Sequence, residues 1–233
     1  MLNTSNAIKV LGTDIVNCRE RCDGINNDQS EGYYPRAFFL DPQDASEVEI
    51  AIFGMNPGES PCLEREFYKA LAERHESGMA TYEDCVRVWN SLLEIEYFAR
   101  PKHLLGELGL PQKGLLWAEV VFCESIDRGI PRTTCEHCKE RFLTGILSKQ
   151  LIHEGKHIFC LGNYAFRNVS ELAQRLGNRW RIVGCHHPGS RGDFSRYFEK
   201  SDKKMCQRPL TRQAKEAFGK AQSVGVYADM LEI

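Results

Sequence analysis

The sequence predicts an α/β fold: a three-layer α/β/α sandwich around a short, mostly parallel, four-stranded sheet. Two observations carry this. Four short apolar runs are nearly continuous and largely β-branched or aromatic, as strands covered on both faces are. The segments between them carry apolar residues at three- and four-residue spacing, the mark of helices with one buried face. Strands alternating with such helices assemble as a mostly parallel sheet with helices packed upon it.

The first strand, Val48–Phe53 (VEIAIF), runs into Gly54-Met55-Asn56-Pro57-Gly58. Helical patterns follow at Leu63–Glu76 and Tyr82–Phe98. The second strand is Leu115–Phe122 (LLWAEVVF), apolar except for Glu119. A helix over Cys135–Ile152 leads to the third strand, His157–Leu161 (HIFCL), and a helix over Ala165–Leu176 to the fourth, Trp180–Gly184 (WRIVG). That strand enters a second polar loop, Cys185-His186-His187-Pro188-Gly189-Ser190-Arg191-Gly192. In open parallel sheets, ligands sit beyond the carboxyl ends of the strands, so both loops fall at one cleft. No internal repeat, low-complexity stretch or linker interrupts the chain, and residues 1–233 read as a single domain.

A chain of 233 residues is long enough to bury a full core, and 42% hydrophobic with 27% charged residues is ordinary for a globular protein. No apolar run approaches the roughly 20 residues that span a bilayer. The N-terminus has no basic segment followed by an apolar one, so a cytoplasmic protein without membrane contact is expected. Thirty basic against thirty-two acidic residues do not indicate a general nucleic-acid coat. Charge is uneven, however: Arg191 to Lys220 carries nine Lys/Arg and four Asp/Glu. A solvated helix face accounts for such a run, and so does a DNA backbone next to the second loop.

Two glycines and a proline in Gly54–Gly58 fix a tight turn able to aim backbone N–H groups and the Asn56 amide at a ligand, although N-P-G alone is also an ordinary turn. His187 precedes a proline, on extended backbone that suits projecting its ring from a strand end. Taken singly, it could equally be a surface or core histidine.

Together the two loops are more specific. A strand ending in G-x-N-P-G and a later strand ending in H-P-x-S resemble the uracil-DNA glycosylase superfamily, closest to its prokaryotic iron–sulfur type. LLWAEVVFCES is similar to that superfamily's third-strand segment, and Asp127, Arg128 and Pro131 to its Asn-Arg-x-Pro segment. Phe142-Leu143 resembles its next helix, and Ile158–Ala165 its leucine-glycine-x-x-alanine strand end. The resemblance covers roughly Cys18 to Arg191 in the family's order.

That resemblance implies a DNA glycosylase that flips a nucleotide from the duplex and hydrolyses its N-glycosidic bond, leaving an abasic site. Asn56 matches the water-positioning asparagine and His187 the histidine that donates toward the base oxygen O2. Met55 would line the base pocket. Pro57, Gly58, Ser190 and Arg191 would contact DNA, the last two from a loop entering the minor groove. The family stacks an aromatic ring on the base. Tyr68 stands at the matching distance, fourteen residues after Gly54, with Phe67 beside it. For both, helix-core packing is an equal reading. No lysine aligns for Schiff-base chemistry, so a monofunctional enzyme acting as a monomer is expected, with no organic cofactor.

One residue departs from the family in a way that bears on substrate. The family's uracil reader is an asparagine; here the aligned residue is Glu119. An ionised carboxylate offers only acceptors and would face the uracil O4 unfavourably. A protonated one donates to N3 and accepts from an exocyclic amino group, which complements cytosine, and burial favours the protonated form. Excising plain cytosine would destroy the host genome, so the expected base is a modified cytosine such as those of some phage genomes, attacked in anti-phage defence. The alternatives are a conventional uracil-DNA glycosylase and a catalytically silent DNA-binding member of the fold. In the bland reading, Glu119 simply turns elsewhere.

Ten cysteines in a reducing compartment read as metal ligands or core filler rather than disulfides. Cys18-x3-Cys22, Cys123 and Cys138 resemble the four thiolates of the iron–sulfur branch, which hold a 4Fe-4S cluster. The first pair departs from the usual C-x2-C, and Cys135 offers a competing ligand. Cys135 and Cys138 with Cys18 and Cys22 would also suit zinc.

Overall fold

The computed structural model describes residues 4–41, 48–74, 79–112, 114–126, 129–147, 152, 156–177, 179–189, 191–223 and 227–230. Its strands are β1 (Ile25–Asn26), β2 (Phe39–Leu40), β3 (Ile50–Gly54), β4 (Leu115–Glu119), β5 (Glu124–Ser125), β6 (His157–Leu161), β7 (Arg181–Cys185) and β8 (Tyr227–Met230). The main sheet has six strands in the order β2-β4-β3-β6-β7-β8, rather than the four expected. The neighbours from β4 through to β8 pair in parallel, and only β2 is antiparallel, on the edge beside β4. The four expected strands are its centre. The added edges escape sequence reading because β2 spans two residues and β8 reads Tyr-Ala-Asp-Met, with two residue types that strands disfavour. β1 and β5 form a separate antiparallel ribbon.

The helices are α1 (Thr4–Val16), α2 (Cys62–Arg74), α3 (Tyr82–Leu92), α4 (Glu96–Glu107), α5 (Arg132–Cys138), α6 (Thr144–Ile146), α7 (Asn163–Arg175), α8 (Arg191–Ser195) and α9 (Arg212–Ser223). Successive residues of a strand face opposite sides of a sheet. In β3 and β4 every residue is buried, and in β6 and β7 all but the first, so helices and loops cover both faces. Parallel register places Trp117, Ile52 and Phe159 on one face. There Trp89 of α3 and Phe98 of α4 pack on Trp117 at centroid distances of 6.2 and 5.1 Å, and Phe218 of α9 packs on Phe159 at 6.5 Å.

Two helical expectations are corrected. The pattern over Tyr82–Phe98 is two helices, because Ile95 takes up extended backbone (φ −73°, ψ 141°) between α3 and α4. Apolar spacing of three and four survives so short a break, which is why the pattern ran through it. The Cys135–Ile152 pattern is helical from Arg132 to Ile146, entered from Pro131 and widened to π-type turns over Lys139–Leu143. Fully buried Lys139 lies in that wide turn and donates to Glu136, Asn168 and Glu171. Among the described residues no helix is long and apolar enough to cross a membrane.

Candidate active site

The two polar loops meet because the central strands end side by side. Register pairs Gly54 with Glu119, so the Glu119 side chain shares a face with Gly54 and lies against it. A Cβ at Gly54 would collide with the Glu119 carboxyl group. Beyond the strand ends, the N–H groups of Val120 and Val121 donate to the carbonyls of Gly54 and Met55, both at 3.0 Å. Those bonds tie the first loop to the exit of β4. Asn56 stands on this loop and its amide donates to the Pro57 carbonyl at 2.7 Å.

The second loop is held from two sides. Gly162, at φ +96° between β6 and α7, donates to the Cys185 carbonyl at 2.7 Å and abuts His187. A glycine suits that position, since other residues resist this backbone conformation. From α4, Arg100 donates to the Pro188 carbonyl at 3.0 Å.

Between the loops lies a cleft of ≈ 740 Å³. It brings together five of the expected site residues: Met55, Asn56, Gly58, Glu119 and His187. Arg36, Tyr97 and Phe98 also line it.

The electrostatics of this cleft centre on Glu119, which is 2% exposed. Its Oε2 has no hydrogen-bond partner among the described residues. Burial pushes its carboxyl up to about 7, against the pull of the Arg36 guanidinium. That pull is limited because Arg36 is spent on Glu64: Nε and Nη2 donate to the two Glu64 oxygens at 3.1 and 2.6 Å, with both residues 4% exposed. A fork-to-fork pair of this kind neutralises the guanidinium locally.

His187 accepts at Nδ1 from the Gly189 N–H at 3.1 Å, and its Nε2 lies 3.0 Å from the Tyr97 hydroxyl. Burial lowers its pKa, so the ring is neutral. An accepting Nδ1 assigns the ring proton to Nε2, which donates to Tyr97.

Other expected residues lie elsewhere. Tyr68 is fully buried and stacked on Tyr34 at 4.6 Å, in the core rather than the cleft. Phe67 lines an adjacent apolar hollow with Leu63, Val88 and Leu92. Core packing therefore describes Tyr68 better than base stacking, while half-buried Phe67 lines a hollow that shares Pro61, Leu92 and Ile95 with the cleft. Pro57 is buried at the turn, and Arg191 opens α8. Ser190, Asp127 and Arg128 fall outside the described residues. Reading by residue missed Arg36 and Tyr97. Arg36 had a signal, a lone charge within Tyr34-Pro35-Arg36-Ala37-Phe38-Phe39. Tyr97 had none, since a tyrosine in an amphipathic pattern is ordinary.

Cys18 and Cys22 of the N-terminal segment, Cys123 after β4 and Cys138 of α5 converge from three stretches of chain, and in every pairing the four lie within electrostatic range of one another. Burial first, then the neighbouring thiols, push Cys123 up; burial pushes Cys138 up to about 12. Arg141 stands close by, in range of Cys18 and Cys22 and paired with Glu20. Cys135 lies in range of Cys138, and its thiol donates to the Asn168 Oδ1 at 3.3 Å. Among the described residues no three His, Cys, Asp or Glu side chains close to the spacing of one metal ion. An all-thiol set suits soft metal centres.

Neither a scan against protein-family profiles nor a search of curated proteins finds a match for the chain. The functional reading therefore rests on the cleft and on the motif resemblance.

Proposed function

We propose that the chain is a monofunctional DNA glycosylase acting on a modified, cytosine-like pyrimidine. The observation that carries the substrate class is the Glu119 carboxyl. It is buried at the end of β4, on the wall of the cleft, with one oxygen lacking a partner among the described residues, and burial pushes it up to about 7, which favours the protonated form. In this reading a nucleotide flips into the cleft, and Glu119 donates to N3 while accepting from the exocyclic amino group. A carboxylic acid kept neutral by burial can donate in this way, whereas a carboxylate cannot.

The C1′–N bond then breaks, its electron pair leaves with the base, and a cationic sugar develops. Asn56 orients the water that adds to C1′; an amide is a poor base, but a cationic sugar needs only a placed water. Hydrogen-bond donation from the His187 side of the cleft stabilises the charge on the base oxygen. The water's proton goes to the departing base. Pro57, Gly58, Ser190 and Arg191 belong to the two loops that meet DNA, with the basic stretch through Lys220 beside the second.

Cys18, Cys22, Cys123 and Cys138 fit a 4Fe-4S cluster, each thiolate serving a different iron, which needs wider spacing than one ion does. Bound there, the cluster would supply a cross-link between the N-terminal segment, the exit of β4 and α5. Zinc is the competing occupant. A monomer in the cytoplasm, directed against DNA with modified cytosine, is the matching biological setting.

Asn56→Ala and His187→Ala test the enzymatic reading. Base release should fall about 10²- to 10⁴-fold in each while DNA binding persists. A protein that keeps its DNA phenotype in both variants is a binding module instead.

A further inference from the structure

The contacts of His187 raise a question that the proposed mechanism leaves open. Both ring nitrogens are engaged within the protein, Nδ1 by the Gly189 N–H and Nε2 by the Tyr97 hydroxyl. The imidazole proton thus points at Tyr97 and not into the cleft. Tyr97 itself lines the cleft, from the first turn of α4, as the G-x-N-P-G loop does. The helix break at Ile95 makes this placement: it starts α4 afresh, with Phe98 packed on Trp117 and Tyr97 edge-on to Phe98 at 4.9 Å. A hydroxyl that accepts a hydrogen bond becomes a better donor through its own O–H, because linked hydrogen bonds polarise one another.

We propose that Tyr97 is a catalytic residue, its hydroxyl the direct donor to the leaving base and His187 the residue that polarises and aims it. The inference rests on the glycosylase reading and extends it. No proton need leave tyrosine in the step. The C1′–N bond breaks, the pair moves onto the base, and the Tyr97 O–H stabilises the charge on the base oxygen. Water adds to the sugar, and its proton completes the released base. Burial raises the Tyr97 pKa, so the hydroxyl keeps its proton through the neutral range.

The test is single-turnover base release with enzyme in excess, on DNA carrying modified cytosine. Tyr97→Phe removes one oxygen and should slow release about 10²- to 10³-fold, the usual cost of losing one such donor, with DNA affinity little changed. His187→Ala in the Tyr97→Phe background should then cost little more, because the histidine acts through the hydroxyl. Fluorinated tyrosines at position 97 guard against a folding defect. They keep ring and hydroxyl, and release should quicken as the phenol becomes more acidic. An undiminished rate in Tyr97→Phe, separate effects that multiply, or a flat fluorotyrosine series would each overturn the assignment. If the wild-type protein releases base and one of these results follows, only the role of Tyr97 falls. If the wild type releases no base from uracil, ordinary or modified-cytosine DNA, the glycosylase reading falls and takes this role with it.

Discussion

Burial pushes the Glu119 carboxyl up to about 7 because it outweighs the pull of Arg36, whose guanidinium is paired to Glu64; Oε2 has no partner among the described residues. Two results are expected. Release of a cytosine-like base should fall as pH rises through about 7, where the donor form of Glu119 is lost. Stability should move the same way. The folded protein holds this proton more tightly than the unfolded chain, whose carboxyl titrates near 4.5, so the contribution is complete below that value and lost as pH rises through about 7. Its size is on the order of 3 kcal/mol, visible as a lower denaturant midpoint at pH 8 than at pH 5. Glu119→Gln should flatten both profiles. A charge inside an apolar strand made Glu119 legible from the sequence, since such a residue needs a reason to be there. The neutralisation of Arg36 by Glu64 was not legible, because nothing local links residues 28 positions apart.

At the scale of elements, the site depends on strands ending in step. Gly54 is the strictest position, because β3 and β4 pair it with Glu119 on one face. Gly54→Ala should displace the carboxyl and destabilise the fold by about 1–3 kcal/mol, the usual cost of overpacking. Thermal melting reads the stability, and a loss of base discrimination greater than the loss of turnover reads the displacement. The four central strands were legible because burial on both faces leaves nearly unbroken apolar runs. β2 and β8 were not, being too short or too polar to leave a pattern. The break between α3 and α4 was hidden for a related reason: periodicity reports which face is buried, not whether the backbone is continuous. Tyr97 was lost with it, and so was its approach to His187.

Across the whole molecule, four thiols from distant stretches of chain meet in one place. The motif resemblance suggested the set but left Cys135 as a rival ligand. In the fold the Cys135 thiol donates to Asn168 on α7. Protein purified anaerobically should absorb broadly at about 400 nm if the four thiols hold an iron–sulfur cluster. Cys123→Ser should abolish that band and lower the melting temperature, and Cys135→Ser should leave the band intact. Loss of the band in Cys135→Ser alone would reverse the ligand assignment.

The substrate claim is tested most directly by mass spectrometry of bases released from uracil-DNA, ordinary DNA and DNA carrying modified cytosine, using the wild type and Glu119→Gln side by side. The wild type should release only the modified cytosine. Glu119→Gln, whose amide accepts from N3–H and donates to O4, should turn toward uracil. Efficient uracil release by the wild type, with modified cytosine ignored, would contradict the assignment of Glu119 as reader of the base.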